Sequence, residues 1–238
     1  MGEFAVRTQD LTRTYGSTIA VNSLNLTVPT GAVFGLIGPN GAGKSTAIRL
    51  LLGLLKPSSG RATVLGFDTV TEADRIRERS GAVLETCSLY GHLSALENLE
   101  FYGRIWRMPA AERRARARRL LGRLGLWERR GELVQSWSRD LRQRLCIARS
   151  IFHRPSILFL DEPTAGLDPL AAASIQRDLA ETAAAEAVTI VLTTNNLTQA
   201  EALCTHVAVI NRGVLLAGGP IGEICTAGVR PQLEIIGR

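Results

Sequence analysis

The chain has 238 residues, enough for one domain, or for one domain with a subdomain, around a sizeable core. Its four cysteines lie far apart with no CxxC spacing, so the sequence suggests neither a zinc site nor a disulfide framework and predicts reduced thiols. No stretch approaches the roughly 20 apolar residues of a membrane span, and charged residues stand where a signal peptide would be apolar. We therefore expect a cytoplasmic protein. The net charge of +6 raises the question of an anionic partner.

Short β-branched runs alternate with helical patterns along the chain, which is typical of an α/β protein with a mostly parallel sheet. A first helix is predicted over residues 44–54 and ends before a proline and a glycine. Strands are predicted over residues 4–9, 24–28, 33–37, 81–84, 157–160, 189–193 and 207–210.

The strand pattern lapses between residues 87 and 154, where apolar residues recur at helical spacing. We interpret this segment as a helical insertion in the α/β domain. The predicted organisation is a single domain over residues 1–238, with a core of residues 1–86 and 155–238 and a helical subdomain of residues 87–154.

A glycine-rich segment follows the predicted strand 33–37 and leads directly into the first helix. It matches the pattern G-x-x-x-x-G-K-[ST] of a phosphate-binding loop. Its glycines let backbone N–H groups surround a phosphate, the lysine reaches the β- and γ-phosphates, and the serine ligates Mg²⁺. The residues are Gly38, Pro39, Asn40, Gly41, Ala42, Gly43, Lys44, Ser45 and Thr46.

Two carboxylates end the apolar strand 157–160. Asp161 and Glu162 stand at the end of a predicted buried strand, where an unpaired charge is unfavourable and a metal–phosphate site would explain it. The alternative is a strand that simply ends in solvated acids. Together with the phosphate loop, the pattern favours Asp161 as a Mg²⁺ ligand and Glu162 as the group that polarises the attacking water.

With these motifs the sequence resembles the ABC ATPases, and the resemblance covers essentially its whole length. The run Pro163-Thr164-Ala165-Gly166-Leu167-Asp168-Pro169 is similar to the segment that follows that family's second acidic strand, including the D-loop. The resemblance implies a P-loop NTPase fold of ABC type, with an antiparallel β-subdomain and an inserted helical subdomain. It also implies that Tyr15 stacks on adenine, and that Ser138 of the signature segment and Asp168 contribute to nucleotide binding.

The family resemblance implies partners and cofactors as well. Two ATP-binding domains meet head to tail, each ATP with Mg²⁺ is held by one domain's phosphate loop and the other's signature, and the helical insertion docks onto a transmembrane permease subunit. Residues 89–99 are similar to exporter-type members associated with drug or antimicrobial-peptide efflux. The expected protein is an ATP-hydrolysing exporter subunit, peripheral at the cytoplasmic face of the membrane.

Three positions depart from the family pattern, and all three bear on the γ-phosphate. The signature, usually L-S-G-G-Q or L-S-G-G-M, reads Trp137-Ser138-Arg139-Asp140-Leu141, so its serine is kept and both glycines are lost. Ser138 is expected to cap the following helix, while the Asp140 carboxylate would repel a triphosphate.

The other two departures concern a glutamine and a histidine. Glu85 replaces the glutamine that helps to bind Mg²⁺, a role that a carboxylate can also fill. Asn195 replaces the switch histidine, and its amide can donate a hydrogen bond to phosphate without carrying charge.

These departures leave more than one functional interpretation open. The leading hypothesis is an ATPase that drives export; the alternative is an ATP-binding regulatory partner with little hydrolysis in a heterodimeric transporter. A soluble, nucleic-acid-linked ATPase is a third reading, although no nucleic-acid partner is expected. The arginine-rich segment 104–154 has fifteen arginines and four acids, a charge of 15 − 4 = +11. It is either a solvated face or a contact for anionic lipid, an acidic permease loop or nucleic acid.

Overall fold

A computed structural model describes residues 2–84 and 88–226. The described residues form eleven strands and eight α-helices. In chain order these are β1 (Phe4–Tyr15), β2 (Thr18–Leu24), β3 (Thr27–Pro29), β4 (Val33–Ile37), α1 (Lys44–Leu51), β5 (Ser59–Val64), β6 (Phe67–Asp68), α2 (Ala73–Glu78), β7 (Ser80–Val83), α3 (Ala95–Ile105), α4 (Ala110–Arg123), α5 (Arg139–Ser150), β8 (Ile157–Asp161), α6 (Pro169–Glu186), β9 (Thr189–Thr194), α7 (Leu197–Leu203), β10 (His206–Asn211), β11 (Val214–Pro220) and α8 (Ile221–Thr226).

The chain divides into two compact units, and the first contains the chain up to Arg77 together with the part from Thr189 onwards. This unit carries an antiparallel sheet in the order β2-β1-β5-β6, with β3 also paired to β1. Its other strands run in the order β11-β10-β4-β9, where β4 is parallel to both β10 and β9. All five residues of β4 are buried. A fully apolar strand is what a central position between two parallel neighbours requires.

The predicted strand 24–28 is two strands in the structure. Leu24 ends β2 and pairs with Leu11, whereas Thr27 begins β3 and pairs with Arg7. The alternating leucines and valine indicated one extended run, but between the two strands the Thr8 hydroxyl replaces a backbone partner, donating to the Leu24 carbonyl at 2.7 Å and accepting from the Leu26 N–H at 2.8 Å. The prediction was wrong because alternation reports burial on one side and cannot report a break in the backbone.

The second unit runs from Glu78 to Val188. Strands β7 and β8 pair in parallel from Ser80↔Ile157 onwards, and all five residues of β8 are buried. The helices of this unit are α3 to α6. A capping box starts α3, since Ser94 accepts from the Glu97 N–H and the Glu97 carboxylate accepts from the Ser94 N–H.

A buried arginine ties three helices of the second unit together. Arg116 in α4 has a side chain 1% exposed and donates to both carboxylate oxygens of Glu186, at 2.9 and 2.7 Å, at the end of α6. It also donates to the carbonyls of Ile151 (2.7 Å) and Phe152 (3.3 Å) just after α5. Burial opposes the charge of Glu186, but Arg116 and the neighbouring arginines hold the pKa of this carboxyl below its usual value. Breaking such a buried pair leaves an uncompensated charge.

The described residues form one antiparallel sheet, one mostly parallel sheet and several helices. This confirms the predicted α/β fold class. The boundaries of the predicted helical subdomain, residues 87–154, stay a prediction. The described residues contain no helix long and apolar enough to cross a membrane.

The expectation of reduced cysteines is confirmed at one position and wrong at another. Cys204 is a free thiol, and burial raises its pKa to about 12. Cys146, buried in α5, is disulfide-bonded. The spacing of cysteines along the chain could not show this, because disulfide partners are set by the fold. Cys87 and the side chain of Cys225 lie outside the described residues.

Candidate functional site

The glycine-rich segment lies in the first unit between β4 and α1, as predicted, and its backbone requires glycine at defined points. Gly41 and Gly43 have φ of 78° and 101°, a region that other residues rarely adopt. A Cβ on Gly38 would come within 2.1 Å of the Ile210 carbonyl oxygen, and one on Gly43 within 2.1 Å of the Ala20 carbonyl oxygen. The loop therefore owes its shape to neighbouring strands as well as to its own sequence.

Hydrogen bonds hold both ends of this loop. The Gly38 N–H donates to the Thr194 carbonyl at 3.2 Å, where β9 ends. The Gly213 N–H, from the turn between β10 and β11, donates to the Ala42 carbonyl at 2.9 Å. Residues far from the loop in sequence thus fix its backbone, whose N–H groups form the predicted phosphate cradle.

Lys44 begins α1 and is 6% exposed. Its Nζ donates to the carbonyls of Gly38 at 2.7 Å and Pro39 at 3.0 Å, so the ammonium group lies at the loop itself. Ser45 and Thr46 follow in the first turn of α1 and are half-buried. No side chain caps this helix, because the residue at its start is Gly43. The first turn of a helix with an uncapped N-terminus favours a bound anion.

Asn195, the predicted replacement for the switch histidine, reaches the glycine-rich loop. Its Nδ2 donates to the Asn40 side-chain oxygen at 3.3 Å. It stands directly after β9, while the next residue, Asn196, caps α7 by accepting from the Gln199 N–H. The first unit thus brings together the loop, Lys44 and Asn195.

Tyr15, predicted to stack on adenine, ends β1 of the same unit. Its side chain is among the exposed large hydrophobic groups, at 43%. The Arg13 guanidinium lies over its ring at 4.7 Å from the centroid. An exposed ring with one covered face offers the other to a flat ligand.

In the second unit, Asp161 and Glu162 follow one another at the carboxyl end of β8. Asp161 is 5% exposed. Glu162 has φ 49°, uncommon for a residue with a Cβ, and such a conformation costs about 1–3 kcal/mol. Strained backbone of this kind concentrates at functional sites, which is consistent with the predicted roles of these two acids.

Asp168 caps the long helix α6. Its carboxylate accepts from the N–H groups of Leu170 at 3.0 Å and Ala171 at 2.9 Å, with Pro169 in the first turn. This is a complete structural explanation for an aspartate at this position. Its predicted part in nucleotide binding stays a prediction.

The start of α5 differs from the expectation for Ser138. The backbone of Ser138 has the extended N-cap conformation, but its side chain accepts no capping hydrogen bond. Its hydroxyl instead donates to the Asp140 carboxylate. The capping prediction was wrong because the hydroxyl is turned towards the Asp140 carboxylate, to which it donates a charge-assisted hydrogen bond, and its oxygen accepts from no N–H group of the first turn.

Sequence reasoning missed one contact of this region. Gln143 in α5 donates from Nε2 to the Pro163 carbonyl at 2.9 Å, next to Glu162. The only sequence signal is a glutamine in the helix after the signature segment, and the neighbouring sequence does not indicate which group accepts its hydrogen bond. The predicted Mg²⁺ ligand Glu85 lies outside the described residues.

A buried strand, a glycine-rich loop and a helix that begins with a buried lysine define a P-loop nucleotide-binding protein. The model of the ABC transporter family matches residues 21–165. The chain therefore belongs to the ABC transporter family and carries the ATP-binding domain of these ATPases.

Comparisons with known proteins agree with this assignment. The chain is 41% identical to the daunorubicin/doxorubicin resistance ATP-binding protein DrrA of Streptomyces peucetius over 92% of this chain and 66% of that relative's length, just under two thirds. The structure of CbiO1 from Clostridium perfringens, part of an ABC transporter complex, has 28% identity and a TM-score of 0.87, over 94% of this chain and 92% of that one. A dimeric ATP-binding cassette in a post-hydrolysis state, bound to ADP and Pi, has 27% identity and a TM-score of 0.80, over 91% and 98%.

Proposed function

We propose that this chain is the ATP-binding and ATP-hydrolysing subunit of an ABC exporter. It works as a dimer of ATP-binding domains together with a transmembrane permease subunit, peripheral at the cytoplasmic face of the membrane. Export is supported by the resemblance of residues 89–99 and by the drug-resistance relative. The dimer and the nucleotide are supported by the cassette bound to ADP and Pi.

One observation carries the nucleotide assignment above all others, the placement of Lys44. This ammonium group is buried, hydrogen-bonded to two carbonyls of its own glycine-rich loop and next to an uncapped helix start. A buried cation beside inward N–H groups suits a polyphosphate. Asn195 adds a neutral donor at the same loop through its contact with Asn40.

The predicted magnesium ligands suit a Mg²⁺–ATP complex. Mg²⁺ prefers hard oxygen ligands, often takes only one or two protein groups and obtains the rest from phosphates and water. Ser45 offers a hydroxyl and Asp161 a buried carboxylate, and Glu85 is the third predicted ligand. Bound Mg²⁺ neutralises charge on the phosphates. The described residues hold no cluster of three or more His, Cys, Asp or Glu that would suit a different, protein-enclosed metal.

The nucleotide role is tested by Lys44→Ala. Removing the ammonium group should lower affinity for a fluorescent ATP analogue at least about tenfold, because a charge-assisted hydrogen bond to phosphate is lost. Lys56→Ala is the matched control, since Lys56 lies outside the loop. Equal affinity of both variants for the analogue would contradict the proposal.

The transport role needs a separate experiment. The chain, expressed with a candidate transmembrane permease from its own genome, should appear in the membrane fraction and should require that permease to do so. Cells that carry both should retain less of a fluorescent anthracycline than cells that carry the Lys44→Ala chain. A chain that stays in the supernatant with the permease present would contradict the transporter assignment.

A further inference from the structure

The altered signature segment makes contacts within its own unit that an unaltered glycine pair could not make. Ser138, the one signature residue that is kept, donates its hydroxyl to the Asp140 carboxylate. Ser138 itself is exposed, so this hydrogen bond forms at the surface where α5 begins. A hydroxyl bonded to a carboxylate is oriented and is less available to another anion.

Arg139 also turns towards its own chain. A Cβ built on Gly166 would overlap the Arg139 guanidinium, so the two are in contact in the loop between β8 and α6. Gly166 has φ 69° and no side chain to obstruct this approach. The cation is therefore placed on this loop.

Two further contacts fix the segment on either side. Trp137, 4% exposed, is buried directly before Ser138 and donates its indole N–H to Glu132 at 3.2 Å. Gln143, one turn into α5, holds the Pro163 carbonyl at 2.9 Å. These contacts hold the backbone around Ser138 in place. Arg139 and Asp140 therefore make their contacts from a fixed backbone.

We propose that Asp140 is a specificity-determining residue of the interface between ATP-binding domains, because it withholds the Ser138 hydroxyl from a nucleotide presented by a second domain. This rests on the proposed function, a dimer of ATP-binding domains, and on the family resemblance, which implies that the signature of one domain helps to hold the ATP of the other. A triphosphate must compete with the Asp140 carboxylate for the Ser138 hydroxyl, and the same carboxylate repels it. Two copies of this chain therefore pair poorly around ATP, and the surface fits a second ABC domain that does not depend on this serine.

Asp140→Ala tests the proposal in the full chain. Freeing Ser138 should strengthen the dimerisation seen by sedimentation velocity, with Mg²⁺ and a non-hydrolysable ATP analogue, by about tenfold. Glu128→Ala is the matched control, because it removes an exposed carboxylate from the same unit. Thermal melting checks that both variants fold. A folded Asp140→Ala chain that dimerises no better than the control would overturn the proposal.

A double-mutant cycle separates the hydrogen bond from simple charge repulsion. In a Ser138→Ala background, Asp140→Ala should give little further gain, because no hydroxyl remains to be freed. An equal gain in both backgrounds would show that repulsion alone acts, and would overturn the role assigned to Ser138.

Binding of a fluorescent ATP analogue to the same samples distinguishes failure of this proposal from failure of the proposed function. If the unaltered chain binds no nucleotide, the proposed function fails. If it binds nucleotide and Asp140→Ala brings no gain in dimerisation, only the role of Asp140 fails.

Discussion

At the scale of single residues, the left-handed backbone of Glu162 stands out, because its strain is placed at the predicted water-polarising carboxylate. The conformation costs free energy that only a glycine would avoid. Seven other non-glycine residues that the structure describes share a positive φ, so the role of the Glu162 side chain has to be tested separately from its backbone.

Two substitutions at Glu162 separate chemistry from strain. Glu162→Gln and Glu162→Gly should both reduce ATP turnover at least about 100-fold, because the carboxylate is lost in each. Glu162→Gly should be more stable than Glu162→Gln by about 1 kcal/mol in urea unfolding, since only glycine relieves the positive φ. Turnover unchanged in Glu162→Gln would remove the catalytic assignment.

His153 predicts a pH dependence of stability within the second unit. Burial lowers its pKa to about 4, although its Nε2 is hydrogen-bonded to the Ser80 carbonyl at 3.1 Å, and its ring stacks on Trp106 at 4.1 Å. The unfolded chain takes up a proton near pH 6.5 and the folded chain only near pH 4. The free energy of unfolding should therefore fall as the pH drops from 6.5 to 4, by about 3 kcal/mol at most.

The His153→Gln variant should lose most of this pH dependence, because glutamine can keep the bond to Ser80 and does not titrate. Its urea midpoint at pH 5 should lie closer to its midpoint at pH 7 than in the unaltered chain. His92 is exposed, so His92→Gln serves as the control and should leave the slope unchanged. An unaltered slope in His153→Gln would mean that other groups cause it.

Single residues of the site were predictable where the signal is local. The glycine-rich loop and the acid pair each follow from a short run of sequence beside a strand. The contacts Asn195–Asn40 and Gln143–Pro163 were not predictable, because 155 and 20 residues separate the partners. Only the fold brings such groups together.

At the scale of elements, the loop between β4 and α1 depends on strands far away in sequence. The absent Cβ of Gly38 leaves room for the Ile210 carbonyl at the end of β10. The sequence predicted β4 and the start of α1 well, because apolar runs and a glycine-rich loop mark both. It missed β5, β6 and β11, because β6 has only 2 residues and the sequences of β5 and β11 contain glycines and do not alternate regularly between apolar and polar residues.

Gly38→Ala should distort the loop. The added Cβ overlaps a carbonyl, so we expect a loss of stability of about 1–3 kcal/mol and weaker binding of a fluorescent ATP analogue. Gly122→Ala is the matched comparison, because Gly122 lies in α4 with open space around it. That variant should gain about 0.5–1 kcal/mol from helix propensity and bind the analogue normally. Equal thermal stability of the two variants would contradict the close approach at Gly38.

At the scale of the whole molecule, the arginine-rich segment is less available for partners than its charge implies. Seven of its fifteen arginines are engaged in ion pairs within the second unit, which occupies these guanidinium groups, although only three of the five acids lie outside the segment and lower its charge, from +11 to 11 − 3 = +8. These pairs are Arg113–Glu100, Arg116–Glu186, Arg119–Glu186, Arg123–Glu186, Arg129–Glu132, Arg144–Asp178 and Arg154–Glu112. Periodicity could reveal the helices here but not the acids that face them.

We therefore expect only weak binding of nucleic acid. Fluorescence anisotropy with a labelled duplex at physiological salt should give a Kd above about 100 μM, at or beyond the weak end of non-specific binding. A short duplex of random sequence suffices, because phosphate contacts do not depend on sequence. A Kd below about 1 μM would favour the nucleic-acid reading of this segment instead.

The amide pair of Asn195 and Asn40 has a consequence for how the protein responds to acidity. Neither side chain gains or loses a proton in the range that cells experience, whereas an imidazole at the first position would change charge near pH 6.5. On the proposed role, the contact to the terminal phosphate keeps the same hydrogen-bonding character in an acidified cell. An imidazolium would make a stronger contact with phosphate that depends on pH, whereas the Asn195 amide would make a weaker one that does not vary with pH.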